Sequence, residues 1–191
     1  MVKGRLEAFS DGVIAVIITI MVLELQAPLG ADLAALKPKI PVFLSYVLSF
    51  IFVGIYWNNH HHLLHAVHKI NGRVLWANLH LLFWLSIVPF ATDWMGVNHW
   101  AAVPVALYGT VLFMAGLAFT ILSRELIACE GKGSTLARAL GRDYKGKASL
   151  LFYATAVPLS FVNARISIAL YVLVALMWLI PDRRIEKIIA D

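Results

Sequence analysis

The sequence has little charge and only one cysteine. Charged residues make up 14% of the 191 residues, and hydrophobic residues make up 61%. Soluble globular proteins are about one quarter charged and about half apolar. Because Cys129 is the sole cysteine, no disulfide can form within the chain. This composition indicates an integral membrane protein and excludes a soluble domain stabilised by disulfides.

Several functional motifs are also missing. The sequence contains no HExxH pattern, so nothing in it resembles the zinc site of a helical metalloprotease. It has no "TVGYG" segment, and "YGTV", which starts at Tyr108, does not match that carbonyl filter. No small-residue cleavage site precedes Pro28, so we expect the first apolar run to be a membrane span and not a signal peptide.

The long apolar runs predict an all-α integral membrane protein. A span needs about 20 mostly apolar residues. Residues 1–191 therefore form one predicted domain with six transmembrane helices, approximately at 4–26, 39–68, 72–95, 100–129, 146–162 and 164–181. Only "NAR", residues 163–165, separates the apolar runs of the last two helices, which predicts a tight helical hairpin. Pro89, late in the third helix, predicts a kink or an early end.

The distribution of lysine and arginine predicts the orientation. An even number of spans places both termini on one side of the membrane. Most of the basic residues lie in the N-terminus, the second and fourth loops and the C-terminal tail. Cytoplasmic loops carry such an excess, so both termini are predicted to be cytoplasmic. The net charge of +5 follows from this bias and does not require a nucleic-acid partner.

The first helix carries a stripe along one side. Each residue of an α-helix turns by about 100°. Thr19 then lies at the edge of the stripe, about 60° from Val16, and Ser10 and Asp11 lie roughly 120° or more from Val16. If the stripe faces a pore, Ser10 and Asp11 face neighbouring helices. The stripe consists of Arg5, Phe9, Gly12, Val16, Ile20 and Leu23.

Asp11 is the costly residue of this helix, because a carboxylate at membrane depth requires a partner. Two interpretations stay open. In the first, Asp11 caps the start of the helix at the interface, where its negative charge interacts favourably with the positive end of the helix dipole. In the second, it joins a buried network with donors from the second helix. The donors lie in "YWNNHHHLLHAVHK", which starts at Tyr56.

This histidine-rich segment has three interpretations of its own. It is part of a polar network or an interfacial helix end, it is a metal site, or it senses pH near neutrality. A metal site would use His61, His65 and His68, which share one helix face. Glu24, near the outer end of the first helix, either concentrates cations at a pore mouth or is a water-exposed charge at a helix end.

The pattern Arg-x-x-x-Phe-Ser-Asp in "RLEAFSDG" resembles the lysosomal potassium channel family, transmembrane protein 175, and its bacterial relatives. "YWNNHHHLLH" and "VPFATDWMG" are also similar to that family, and the likeness covers nearly the whole chain. A single six-helix unit resembles the bacterial form. The resemblance implies a homotetramer in the inner (plasma) membrane, whose first helices line a potassium-preferring pore without a carbonyl filter.

The resemblance also implies roles for individual residues. Val16 corresponds to an apolar constriction, and Thr19 to a position that contributes to selectivity, with potassium near it. Ile20 and Leu23 correspond to further apolar pore positions. The resemblance implies no cofactor and no structural metal. Potassium enters only as the permeant ion. The motif residues are expected to form a network that includes Arg5, Phe9, Ser10, Asp11, Trp57, His60 and His61.

The leading functional prediction is a passive potassium channel with a hydrophobic gate, and not an enzyme. The alternative is a proton-coupled secondary transporter, suggested by Asp11 and the histidines. Such a transporter usually has broken helices near the membrane midplane, and the first helix has no Gly or Pro there. A metal-dependent membrane enzyme and a protein with a purely structural or interaction role are weaker alternatives.

Overall fold

The structure, a computed structural model, describes residues 3–131, 133–141 and 143–179. Within these ranges the protein is helical and has no β-strand, which confirms the all-α prediction. The elements in chain order are α1 (Lys3–Leu23), a 3₁₀ helix (Leu33–Lys39), α2 (Ile40–His65), α3 (Gly72–Ser86), α4 (Val88–Val97), α5 (Ala102–Glu130), α6 (Thr135–Leu140) and α7 (Tyr144–Leu179).

Five helical stretches in the described part of the chain are long and apolar enough to cross a membrane. The last of them, α7, is two helices in one element. Asn163, in its middle, has an extended backbone with φ −158° and ψ 105°. The indole N–H of Trp178 donates to Ser149 Oγ at 2.8 Å, whereas a straight helix would separate these residues by about 44 Å. The five stretches are Lys3–Leu23, Leu33–His65, Gly72–Val97, Ala102–Glu130 and Tyr144–Leu179.

The turn of this hairpin is stabilised by side chains at its two ends. Asn163 Oδ1 accepts a hydrogen bond from the N–H of Arg165 at 3.0 Å, and so caps the start of the second arm. Ser167 Oγ donates across the turn to the carbonyl of Ala156 at 2.7 Å. These bonds join the two arms. Both arms also pack against α5, with Leu150 of the first arm beside Gly116 and Tyr171 of the second beside Gly109.

The third apolar stretch is interrupted between α3 and α4. α3 ends at Ser86 and α4 begins at Val88. Pro89 lies in the first turn of α4 and has no N–H to donate to the carbonyl four residues earlier. The interruption therefore falls where the proline removes a helical hydrogen bond.

The core of the bundle is centred on α5, which packs against α3, α4 and α7. At Gly109, the backbone of α5 lies close to a side chain of α7. A β-carbon at this position would lie 2.0 Å from the hydroxyl oxygen of Tyr171. That hydroxyl donates to the carbonyl of Val105 at 3.1 Å. Glycine is required here because α7 presses a tyrosine against the α5 backbone.

The end of α2 differs from the sequence prediction. Its predicted extent reaches residue 68, whereas α2 ends at His65. Beyond this point, Glu130 at the end of α5 accepts hydrogen bonds from the backbone N–H groups of His68 and Lys69. These N–H groups bind a carboxylate from another helix, so they do not continue the hydrogen-bond pattern of α2. α1 likewise ends at Leu23, before the predicted residue 26.

Candidate functional site

α1 packs by one face only. It contacts α2, α3 and α4, and the opposite face has no partner within the described chain. On that opposite face, Val16 is 55% exposed, Ile20 41% and Leu23 78%. This open face contains the stripe found by helical angle in the sequence. The buried face consists of Leu6, Ser10, Ile14, Ile17 and Met21.

A chain of buried hydrogen bonds fixes α1 to α2 and α3. Asn78 of α3 donates from Nδ2 to Ser10 Oγ of α1 at 2.9 Å. The same amide presents Oδ1 to Nε2 of His60 of α2 at 2.8 Å. All three side chains are at most 1% exposed. Asn78 is therefore the bridge at which three helices meet.

In this series of hydrogen bonds, each group donates to the next, from His60 through Asn78 and Ser10 to the carbonyl of Leu6. Ser10 donates its hydroxyl hydrogen to the carbonyl of Leu6 at 2.8 Å, so its oxygen accepts from Asn78. Since Asn78 donates through its nitrogen, its oxygen must accept from His60. His60 thus carries a hydrogen on Nε2. Each buried group is paired, which matters because an unpaired polar group in such a place costs about 1–3 kcal/mol.

A second contact between α1 and α2 involves Asp11. The indole N–H of Trp57 donates to Asp11 Oδ1 at 3.0 Å. The Trp57 ring stacks on His61, with centroids 5.9 Å apart, and His61 stacks on His65 at 6.1 Å. His61 therefore supports the indole that holds Asp11, while His60 belongs to the buried chain through Asn78.

The two basic residues at the start of α1 have different surroundings. The ammonium of Lys3 donates to the carbonyl of Leu64 at the end of α2, at 3.1 Å, and pairs with Glu7 at 3.3 Å. Arg5 is exposed and has no hydrogen bond or ion pair to any residue that the structure describes. No contact among the described residues joins Arg5 to the network expected for it, so its place there stays a prediction. Phe9, also expected there, is 53% exposed on the open face.

Thr19 lies on the exposed side of α1, and its hydroxyl donates to the carbonyl of Val16 at 2.8 Å. The hydrogen is thereby directed into the helix. The hydroxyl oxygen keeps its lone pairs and is exposed at the edge of the apolar stripe. An oxygen in this state is suited to accept a cation and not an anion.

The histidine segment is divided among different surroundings. His60 points into the core, His61 and His65 stack at the surface, and the backbone of His68 binds Glu130. Across the described ranges, no group of three or more His, Cys, Asp or Glu is placed to hold a metal ion.

Asn78 is the important residue that the sequence analysis did not assign to the site. The available signal was an amide in the middle of an apolar helix, where an unpaired polar side chain is costly. Its partners could not be read from spacing, because Ser10 is 68 positions away in the chain.

These features define a class of protein: a multi-pass α-helical membrane protein whose first helix is fixed by polar contacts on one face and open on the other. Residues 5–89 match the sequence model of the family described as "Endosomal/lysosomal potassium channel TMEM175". This range contains α2, α3 and all of α1 but its first two residues. It therefore includes the contacts that join Ser10 and Asp11 to Asn78, His60 and Trp57.

Several known proteins resemble the chain. A protein named as a potassium channel in Chryseobacterium sp. (strain P1-3) is 58% identical over 187 residues, which cover 98% of this chain and 97% of that protein. The crystal structure of a lysosomal potassium-selective channel TMEM175 homolog from Chamaesiphon minutus aligns with a TM-score of 0.79 and 25% identity, covering 94% of this chain and 97% of the other. The human endosomal/lysosomal proton channel TMEM175 is 34% identical over 101 residues, which are 47% of this chain and 20% of that protein.

The chain belongs to the TMEM175 family. This is a family of ion channels and not a class of enzymes. The prediction from "RLEAFSDG" is confirmed at the level of the family, and the low charge of the chain is accounted for by its membrane location.

Proposed function

We propose that this protein is a potassium-preferring cation channel whose pore is formed by α1 from four identical subunits. The observation that carries the proposal is the open face of α1, an apolar stripe that the rest of the chain leaves uncovered. A single helix cannot enclose a pore, so a pore lined by this face would require other copies of the chain. The choice of potassium as the transported ion is supported by similar proteins that are named potassium channels.

In such a tetramer the stripe becomes a series of rings. Val16, Ile20 and Leu23 form apolar rings, and Val16 forms the narrowest of them. Apolar rings gate by excluding water, so conduction requires them to widen or to become wet. Thr19 adds a ring of four hydroxyl oxygens, and these offer partial replacement for the water that a potassium ion loses.

The polar contacts of α1 serve this pore by holding the helix in position. Ser10 and Asp11 face α3 and α2, so they set the rotation of α1 and do not touch the ion. A rotation of about 100° corresponds to one residue in the helix and would replace Val16 in the ring by a neighbour. The network therefore keeps Val16, and not a neighbouring residue, facing the proposed pore.

We place the protein in the cell's inner (plasma) membrane, with six spans and both termini in the cytoplasm. The two arms of α7 supply the fifth and sixth spans, since Trp178 returns to the level of Ser149. The basic residues that follow α2 and α5 then lie on the cytoplasmic side, as the positive-inside rule requires. No cofactor is part of this proposal, and potassium is the transported ion.

The experiment uses the full-length protein, verified as a tetramer and reconstituted in liposomes with a potassium gradient. We expect potassium flux in wild type and a several-fold lower preference for potassium over sodium in Thr19→Val. Thr155→Val is the matched control, because Thr155 is exposed on α7 and also bonds its own helix, to Leu151 O at 2.8 Å. An unchanged preference in Thr19→Val would contradict the role of that ring.

The constriction is tested in the same liposomes. Val16→Ala is expected to raise the resting flux, because it removes two carbon atoms from each subunit at the narrowest ring. Val103→Ala is the control, since Val103 on α5 is also 55% exposed. Absence of flux in the verified wild-type tetramer at any voltage would contradict the channel itself.

The alternative, a proton-coupled secondary transporter, has less support. α1 is continuous from Lys3 to Leu23, whereas transporter sites use helices that are interrupted at the midplane. Saturable uptake of a substrate driven by a pH gradient would favour the transporter over the channel.

A further inference from the structure

A partly open cavity lies between helices of each subunit, away from the open face of α1. It is bounded by α2, α5 and both arms of α7, and its volume is about 50 Å³. At 10–15 Å³ for each water molecule, this is room for roughly three to five waters.

The walls of the cavity are largely aromatic. Phe52 and Tyr153 meet edge to face with centroids 6.3 Å apart, and Tyr56 and Phe119 do so at 6.2 Å. The fifth ring is Trp178, whose indole is held by its hydrogen bond to Ser149. Five rings from α2, α5 and α7 thus surround one small space.

Among the described residues that line the cavity, Asp143 alone is charged, and its charge is negative. Asp143 lines the cavity at the start of α7. Its Oδ1 accepts a hydrogen bond from the N–H of Gly146 at 3.0 Å, which fixes the carboxylate at the helix start. Lys145 does not line the cavity, but its ammonium lies 5.8 Å from the centroid of the Trp178 ring, so this ring already faces one cation of the chain.

We propose that this cavity is a binding site for a small organic ammonium ion. A quaternary ammonium group surrounded by aromatic faces is attracted by the negative face of each ring, and the attraction is stronger when the cation is desolvated. Asp143 supplies the balancing charge. Neither a neutral molecule of the same size nor an anion would use this combination of groups.

This site is separate from the proposed pore, but it adjoins a contact that positions α1. Tyr56 of the cavity adjoins Trp57, which holds Asp11 of α1. α2 therefore carries the cavity wall on one face and the anchor of α1 on another. An ion bound in the cavity would order the segment of α2 that positions the first helix.

The probe for the experiment is tetramethylammonium, added at constant ionic strength to the full-length tetramer in detergent. Saturation-transfer-difference NMR reports binding through its methyl protons. tert-Butanol, which also has five heavy atoms but no charge, is the comparison ligand. We expect saturation transfer to tetramethylammonium, and little transfer to tert-butanol at the same concentration.

Asp143→Asn is the decisive variant, because asparagine can still accept the Gly146 hydrogen bond while the charge is lost. Asp32→Asn is its matched control, since Asp32 caps the 3₁₀ helix in the same way, through Ala35 N–H at 3.0 Å. We expect Asp143→Asn to weaken binding about tenfold or more, and Asp32→Asn to leave it unchanged.

Three results would overturn the proposal. The first is no transfer to tetramethylammonium in wild type. The second is equal transfer to tert-butanol, which would indicate an apolar cavity without cation preference. The third is equal affinity in Asp143→Asn and wild type, which would place the ammonium ion elsewhere, for example in the pore. A melting curve of each variant establishes that the protein is folded when it is tested.

Discussion

His60 of α2 donates a hydrogen bond to Asn78 of α3 across 2.8 Å, and both side chains are buried. The other end of the same amide donates to Ser10 of α1. One side chain thus joins three helices, and the first of these helices carries the apolar stripe. We therefore expect this amide to help set the rotation of the proposed pore-lining helix.

The first prediction concerns that amide. Asn78→Leu has a similar size but leaves His60 and Ser10 without their partner. We expect the free energy of unfolding to fall by about 1–3 kcal/mol, since buried polar groups become unpaired. Denaturant unfolding in mild detergent measures the change. Asn58→Leu is the control, because Asn58 is exposed on α2, and equal losses in both variants would contradict the role of Asn78.

The second prediction concerns Trp57 and Asp11. Trp57→Phe keeps an aromatic ring beside His61 but removes the N–H that binds Asp11. We expect a loss of about 1 kcal/mol, the usual net value of one hydrogen bond. A double-mutant cycle with Asp11→Ala should give a coupling energy of similar size, whereas additive effects would show that the contact contributes nothing. Trp76→Phe, at a tryptophan that is 75% exposed on α3, serves as the control.

The third prediction concerns the contact between α5 and α7. Gly109→Ala would place a carbon 2.0 Å from the Tyr171 hydroxyl. We expect destabilisation of about 1–3 kcal/mol from overpacking, with partial recovery when Tyr171→Phe removes the hydroxyl. Gly54→Ala is the control, since an added β-carbon meets no atom within 4 Å there. A melting temperature unchanged by Gly109→Ala would contradict this packing.

The fourth prediction concerns the membrane topology. In a Cys129→Ser background, we expect Asn163→Cys to react with an impermeant thiol reagent added outside cells. Gly133→Cys should react only after the membrane is opened. Asn163 lies at the turn of the α7 hairpin, so protection of this position from both sides would indicate a single span through α7.

The sequence was sufficient for the features that depend on short spacing. The apolar runs and the low charge indicated a helical membrane protein, and the 100° rule separated Ser10 and Asp11 from Val16. These inferences need only residues within a few turns of each other. The family also followed from a local motif, the Arg-x-x-x-Phe-Ser-Asp pattern that begins at Arg5.

The features that depend on distant residues were out of reach. Asn78 could be seen as a polar residue in an apolar helix, but its pairing with both Ser10 and His60 arises only when three helices pack. The end of α2 at His65 likewise depends on Glu130, which binds the following backbone from another helix. Arg5 belongs to the motif, yet it has no hydrogen-bond or ion-pair partner among residues 3–131, 133–141 and 143–179.

The central claim, that the stripe of α1 lines a potassium pathway, is tested most directly by cadmium block of flux through Val16→Cys. In the Cys129→Ser background, four such cysteines in a ring would bind cadmium, a soft metal that thiolates prefer. We expect micromolar cadmium to stop potassium flux in Val16→Cys liposomes, and a chelator to restore it. Val103→Cys and the cysteine-free parent should conduct throughout. Undiminished flux through a verified Val16→Cys tetramer would contradict the claim.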